Sequence, residues 1–372
     1  MNLKPTYRHF TSLGTGLLAL TLLVTLVAAA SQTDIIGPAG SSLFGTSVTA
    51  LPNGNLVVTD PDYDAGSNID VGAIYLYDGE TGLLISTLTG SNADDNIGSS
   101  GVIVLTNGNF VVNSPAWDSS GLMDAGAVTW GSAESGVSGV VSAANSLVGS
   151  KAYDNVGSWG VTALVNGNYV VGSLEWDNGG VMDAGAATWG SGTSGVSGVV
   201  SAANSLVGST DSDRVGFSVT ALANGNYVVS SLEWDSGATT DVGAATWGSG
   251  TSGVSGVVSA ANSLVGSTAN DLVGANGVTA LANGNYVVGS LVWDNGAVTN
   301  AGAVTWGSGA SGAKGPITAD SSVLGETTNG GTSMNWVFDV ANHQLVVGRP
   351  ADNIVTLFRL DPQRLFLPIT VK

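Results

Sequence analysis

Aspartates recur at a fixed spacing along this chain, and their carboxylates could bind cations or the hydroxyl groups of a ligand. In four stretches an aromatic residue precedes an aspartate, and a second aspartate follows six residues later. The pairs are Asp64 and Asp70, Asp118 and Asp124, Asp177 and Asp183, and Asp235 and Asp241, while a fifth stretch has Asp294 and Asn300. The pattern predicts either a ligand-binding rim or a set of turn caps that accept backbone N–H groups.

Tryptophans accompany these aspartates in two sets. Trp117, Trp176, Trp234 and Trp293 directly precede Asp118, Asp177, Asp235 and Asp294, and we predict these eight residues as ligand contacts. The alternative for this set is packing inside the protein. Trp130, Trp189, Trp247 and Trp306 end short apolar segments, and we expect them to pack between repeats.

The first stretch is the most acidic and predicts a possible Ca²⁺ site. Asp60, Asp62 and Asp64 alternate, with Asp70 downstream, and hard cations prefer such oxygen ligands. The stretch departs from an EF-hand loop, which would have Gly at Ala65 and Glu at Val71. A solvated acidic turn is the alternative, and we expect no cofactor to be required.

Residues for catalysis are scarce. The chain has no cysteine, and His343, in a predicted turn, is the one histidine beyond the N-terminal segment. Acid and base roles need like groups in unlike environments, whereas repeats give like groups like environments. We therefore expect a non-catalytic binding or adhesion module. A polysaccharide hydrolase or lyase and a structural surface-layer component are the alternatives.

The elements that position these residues are repeated hairpins. The first is Leu51-Pro-Asn-Gly-Asn-Leu-Val-Val, and its asparagine recurs at positions 107, 166, 224, 283 and 342. Asn-Gly between apolar runs predicts a β-hairpin with a type I′ turn, in which both central residues have positive φ. One unit then has strands at 160–164, 169–174 and 185–189, and a fourth within 195–207, where Ser-Ala-Ala-Asn is a possible turn.

Repetition of this unit predicts an all-β fold. Six units of four antiparallel strands are typical of a β-propeller, with a seven-bladed propeller or a β-solenoid as alternatives. The approximate blades are 42–91, 92–150, 151–209, 210–267, 268–326 and 327–372, within one domain from residue 31. We expect either chain end to supply the outer strand of the closing blade, through Ile36-Gly37 or Leu365–Val371.

Several motifs resemble the FG-GAP repeats of integrin-α-type propellers. They are Leu43-Phe-Gly-Thr-Ser-Val-Thr-Ala-Leu, Val57-Val-Thr-Asp-Pro and Val71-Gly-Ala-Ile-Tyr-Leu-Tyr-Asp. The later units are also similar to a bacterial repeat of uncharacterised function from large secreted proteins. The resemblance implies a propeller. In this sequence Asn-Gly-Asn occupies the position of the family's calcium loop. The resemblance therefore does not imply calcium binding at that position.

Composition limits the location and the partners. Residues 1–30 contain Lys4, Arg8, an apolar run and an Ala-rich end, which predicts a signal peptide, with an uncleaved anchor as the alternative. The formal charge of −19 argues against nucleic acid as a partner. We expect a secreted or cell-surface protein with no membrane span after cleavage, and an extracellular protein or polysaccharide as its partner.

Overall fold

The computed structural model describes residues 32–359. The regular elements in this range are β-strands, apart from two 3-10 turns at Gly331–Ser333 and Pro350–Asp352. No helix in residues 32–359 has the length and apolar character needed to cross a membrane. The predicted signal peptide lies outside the described residues.

Six consecutive repeats form the compact unit that begins at Ile36. Repeat 1 has β1 (Ser47–Ala50), β2 (Leu56–Asp60), β3 (Ala73–Tyr77) and β4 (Leu84–Thr89). Repeat 2 has β5 (Val102–Val104), β6 (Phe110–Ser114), β7 (Ala127–Gly131), β8 (Gly139–Val140) and β9 (Ser146–Val148). Repeat 3 has β10 (Val161–Ala163), β11 (Tyr169–Ser173), β12 (Ala186–Gly190), β13 (Gly198–Val199) and β14 (Ser205–Val207).

Repeats 4 and 5 have the same order of strands. Repeat 4 has β15 (Ser218–Ala221), β16 (Tyr227–Ser231), β17 (Ala244–Gly248), β18 (Gly256–Val257) and β19 (Ser263–Val265). Repeat 5 has β20 (Val278–Ala280), β21 (Tyr286–Ser290), β22 (Ala303–Gly307), β23 (Gly315–Pro316) and β24 (Ser322–Leu324). Repeat 6 has β25 (Asn335–Asp339), β26 (Gln344–Arg349) and β27 (Ile354–Arg359). The predicted all-β, propeller-like fold of antiparallel sheets is confirmed.

The predicted hairpins form, but their turn type is different. In repeat 3, Gly167 donates its N–H to Leu164 O, and Leu164 donates to Asn168 O. Only the glycine has positive φ, at +92°, so this is a turn closed by a left-handed glycine, and the type I′ prediction is wrong. The asparagine is held from two sides, because Asn166 Oδ1 accepts the Asn168 N–H and its Nδ2 donates to Gly250 O of repeat 4 at 2.8 Å.

The predicted fourth strand is two strands that belong to different sheets. The segment 195–207 breaks at Ser-Ala-Ala-Asn, and β14, which follows this turn, pairs with β12 of its own repeat. The part before the turn, β13, instead pairs in parallel with β9 of repeat 2. The same parallel pairing with the preceding repeat joins β8 to β4, β18 to β14 and β23 to β19. Each copy of this segment therefore links two neighbouring sheets through backbone hydrogen bonds.

The hydrophobic core lies between the repeats. Five clusters of buried side chains each join one repeat to the next, from repeats 1 and 2 to repeats 5 and 6. Within a repeat, the ring of Tyr169 packs over Gly190 on the adjacent strand, where a Cβ would lie 2.2 Å from the ring. Stacking thus buries the apolar surface that one repeat cannot bury alone.

Repeats 1 and 6 depart from this pattern. Phe44 packs edge-on against Tyr75 and Tyr77 of repeat 1, with ring centroids 5.5 and 6.1 Å apart. The predicted strand tail at Ile36-Gly37 is irregular backbone. Repeat 6 has a three-stranded sheet in the described range, and the predicted strand Leu365–Val371 lies outside it. Arg349 Nη1 donates to Leu324 O at 2.7 Å, at the position where Ile317 N–H meets Val265 O one repeat earlier.

Candidate functional site

One face of the repeats carries the predicted binding residues. Because the strands are antiparallel, the loops between second and third strands lie at the same strand ends as the linkers between repeats. In repeats 1 to 5 the loops are 61–72, 115–126, 174–185, 232–243 and 291–302, and the linkers that join these repeats are 90–101, 149–160, 208–217 and 266–277. We call this surface the loop face.

The aspartate pairs form bonds inside their own loops. Asp118 Oδ1 accepts the N–H of Asp124 at 2.8 Å, and the same contact joins Asp177 to Asp183 and Asp235 to Asp241. Asp64 contacts Asp70 and Asp294 contacts Asn300 in the same way. The second residue has positive φ in all five loops, between 48° and 53°. The first aspartate of each pair therefore fixes a left-handed turn, which is the capping alternative given for these residues.

A further set of aspartates, which the sequence reasoning missed, anchors these loops. Asp95, Asp154, Asp213 and Asp271 lie in the linkers and are fully buried. Asp154 Oδ2 accepts the N–H groups of Ser150 and Lys151, and Oδ1 accepts that of Asp177. Burial raises the pKa of Asp95, Asp154 and Asp213, against the opposing effect of these backbone donors. An aspartate three residues before the linker glycine of each unit is the sequence signal for this set.

The two tryptophan sets lie in different surroundings. Trp117, Trp176, Trp234 and Trp293 are at most 5% exposed, and each belongs to a core cluster between two repeats. Trp130, Trp189, Trp247 and Trp306 are half-buried at the edges of these clusters. The eight predicted ligand contacts thus have packing and capping contacts here, and their role in binding stays a prediction.

The four predicted calcium ligands are divided between two environments. Asp70 lies near the surface. Its pKa is raised by partial desolvation and then by the negative charges of Asp62, Asp64 and Asp94. Asp60 is fully buried instead, where its Oδ1 accepts the Leu43 N–H at 3.3 Å and its charge helps to raise the pKa of Tyr75. Within residues 32–359, no group of three or more His, Cys, Asp or Glu side chains is arranged to hold a metal ion. Asp60, Asp62, Asp64 and Asp70 do not form one such group in the described residues.

We therefore expect calcium to leave the stability of the protein unchanged. A cation that binds only the folded state raises the melting temperature by mass action. The melting temperature in millimolar Ca²⁺ should equal that in chelator to within about 1 °C. A rise in Ca²⁺ that Asp62→Asn abolishes would contradict this expectation and assign the ion to the surface aspartates.

Large apolar side chains are exposed on the loop face. Met123, Tyr153, Trp159 and Met182 are 54%, 54%, 50% and 62% exposed. Tyr153 donates its N–H to Met123 O, and the ring of Trp159 lies 5.6 Å from that of Phe217 in the next linker. Sequence reasoning missed these residues as well. Their signal is a departure from the repeat, because Thr240 and Thr299 occupy the position of Met123 and Met182.

Two basic residues on this face are paired with acids. Lys151 Nζ lies 3.4 Å from Asp177 Oδ2, and Arg214 Nη1 lies 3.2 Å from Glu233 Oε2. Surface pairs of this kind contribute little to stability. The loop face therefore combines exposed Trp, Tyr and Met side chains with an excess of carboxylates.

The repeats themselves match a known family. A family model for a repeat of unknown function (DUF5650) matches residues 50–99, 104–158, 163–217, 221–275 and 280–333. The chain belongs to the DUF5650 family. The first four DUF5650 repeats each include one Asn-Gly turn, one aspartate pair and one anchoring aspartate. The resemblance to FG-GAP repeats is not confirmed by this match.

Two further comparisons concern whole proteins. No curated protein matches this chain in sequence. Among solved structures, it is similar to a catalytically inactive virginiamycin B lyase from Staphylococcus aureus, crystallised with quinupristin. That similarity has a TM-score of 0.34 and 8% identity, and it covers 85% of this chain and 84% of the lyase chain.

Proposed function

We propose that this DUF5650 protein is a secreted or cell-surface binding module without catalysis, and that it holds a protein with a basic surface on its loop face. The observation that carries the proposal is the exposure of Met123, Tyr153, Trp159 and Met182 among the loop carboxylates. Tyr, Trp and Met are enriched in protein interfaces, and exposed apolar patches mark interaction sites.

Charge supports a basic partner. The whole chain carries a formal charge of −19, and both cations of the loop face are already paired with carboxylates. Complementary charge steers association and disfavours acidic partners. A protein whose apolar surface is bordered by Lys or Arg would meet both the exposed side chains and the acids around them.

Repetition supports binding over catalysis. The loops of repeats 2 to 4 bond their aspartates in the same way, so these carboxyl groups have similar environments. A general acid and a general base need environments that separate their pKa values. Similar environments therefore favour binding over paired acid–base chemistry, and the predicted signal peptide supports a location outside the cytoplasm.

Binding to a basic probe tests the proposal. We expect cytochrome c to bind the immobilised protein in a salt-dependent way and polyglutamate not to bind. Trp159→Ala should weaken the binding of cytochrome c about fivefold, or about 1 kcal/mol, because an aromatic contact is lost. Val165→Ala, at an exposed position in the hairpin turn at the opposite strand ends, is the control and should bind like wild type. Wild-type affinity of Trp159→Ala would overturn the proposed face, and turnover of a polysaccharide would overturn the absence of catalysis.

A further inference from the structure

A groove with an aromatic wall lies between repeats 3 and 4, away from the loop face. Its volume is about 230 Å³, and it is lined by Trp189, Gly195, Val196, Ala203 and Asn204 of repeat 3 and by residues 252–255 of repeat 4. Trp189 is the residue before the last of β12, at the opposite strand ends from the loops. The groove therefore exists only where two repeats stack, and the proposed function does not use it.

The indole of Trp189 is fixed in this groove. Its Nε1 donates to Gly250 O of repeat 4 at 3.0 Å, and Asn166 and Asn168 donate to the same oxygen. Gly253 approaches so closely that a Cβ there would lie 2.7 Å from Trp189 Cβ, and its φ is +74°. Because the neighbouring repeat holds the half-buried ring in place, a ligand would not have to order it on binding.

The chemistry of the groove is polar but uncharged. Asn204, Ser252 and Ser255 supply amide and hydroxyl groups, and none of the lining residues carries a charge. A pyranose has C–H groups on its face for an indole and hydroxyl groups at its edge for Asn and Ser. An anionic sugar would gain no cation here and would be repelled by the protein as a whole.

The groove is built by the segment that the chain copies. Gly-Val-Ser-Gly-Val-Val-Ser-Ala-Ala-Asn-Ser-Leu-Val-Gly-Ser begins at Gly136, Gly195 and Gly253. Gly195 approaches Trp130 as Gly253 approaches Trp189, and Gly312 approaches Trp247. The third junction differs, since Ala313 and Lys314 replace Val254 and Ser255. Subsites repeated along the stack suit a ligand that itself repeats.

We infer that these grooves bind a neutral polysaccharide, with one sugar residue against each of Trp130, Trp189 and Trp247. Simultaneous contacts along one polymer strengthen weak individual subsites by effective concentration. This site is independent of the protein-binding loop face, so each can fail without the other.

A matched pair of triple variants tests the inference. Ala144, Ala203 and Ala261 are exposed and occupy the groove position, whereas Ala143, Ala202 and Ala260 are the exposed residues directly before them. Ala144→Arg/Ala203→Arg/Ala261→Arg should fill the grooves. Ala143→Arg/Ala202→Arg/Ala260→Arg adds the same charge outside them.

The measurement is affinity electrophoresis in galactomannan, dextran and a soluble β-glucan, with alginate as the anionic contrast. We expect wild type and the control triple variant to be retarded by at least one neutral polymer and not by alginate. The groove variant should bind at least about tenfold more weakly. Absence of retardation by all three neutral polymers, stronger retardation by alginate, or equal retardation of the two triple variants would each overturn the inference. Binding of cytochrome c by the groove variant reports separately on the loop face.

Discussion

Asp154→Ala should destabilise the protein by about 3 kcal/mol, because it leaves three backbone N–H groups without an acceptor. Ser150 and Lys151 donate to one oxygen at 2.7 and 2.9 Å, and Asp177 donates to the other at 3.0 Å. Asp154 is fully buried, so no side chain at the surface can replace these contacts. The loss should also release the loop that contains Asp177, since linker and loop share this one carboxylate.

Urea unfolding of the purified variant measures this effect. Asp154→Asn is the first control, because its one acceptor oxygen can still take the Ser150 and Lys151 N–H groups, while its NH₂ group faces the Asp177 N–H. It should therefore lose less stability than the alanine variant, about 1–2 kcal/mol. Asp320→Ala, at an exposed turn position, is the second control and should change stability by less than about 0.5 kcal/mol. Equal stability of Asp154→Ala and Asp320→Ala would show that the linker carboxylate has no anchoring role.

Gly243→Ala should destabilise the protein at least as much as Asp154→Ala, because a Cβ at this position clashes with the backbone. Gly243 has φ +71°, and a Cβ there would lie 2.2 Å from Val273 N and 2.7 Å from Leu272 C. These are backbone atoms of the next linker, so the clash can be relieved only by moving the linker away from the loop. We expect a loss of about 3 kcal/mol or more, with a lower melting temperature.

Gly237→Ala separates the two causes of that loss. Gly237 has a similar φ of +63°, but a Cβ there would meet nothing within 4 Å. This variant should lose only the cost of a left-handed alanine, about 1 kcal/mol. The difference between the two unfolding free energies then measures the contact between loop and linker. Equal losses would mean that the linker moves freely, and the loop face would not be a preformed surface.

The aspartate network fixes the loops of the loop face to their linkers. In repeat 3, Asp154 holds Asp177, and Asp177 holds the left-handed Asp183. The same order of contacts recurs through Asp213, Asp235 and Asp241 in repeat 4. One oxygen of each loop aspartate is therefore committed to the backbone. Exposed side chains such as Trp159 therefore lie on a loop face whose loops are held to their linkers by hydrogen bonds.

Much of the fold could be predicted from the sequence. Strands β10, β11 and β12 lie where the apolar runs and the Asn-Gly signal placed them, because hairpins are local and their pattern is contained in about twenty residues. The turn type could not be predicted in the same way. Asn166 bonds to Gly250 in the next repeat, and this distant partner competes with the local preference for a type I′ turn.

The candidate site was harder to predict than the fold. The residues next to a tryptophan in the sequence do not determine whether its ring is buried or exposed. The stacking of repeats puts Trp176 in the core and leaves Trp189 half-buried beside a groove. The exposure of Met182 and Trp159 depends likewise on which linker lies over which loop, and not on the residues next to them in sequence.

The sequence alone determined the repeat period, the hairpins and the all-β class, since each depends on residues close together in the chain. Only the tertiary structure decided that the segment from Gly195 to Val207 belongs to two sheets, with β13 on repeat 2 and β14 on repeat 3. It also decided which carboxylates anchor loops and which tryptophans remain accessible. The physical reason is that these roles come from hydrogen bonds and packing between repeats, where each partner is set by how neighbouring sheets stack.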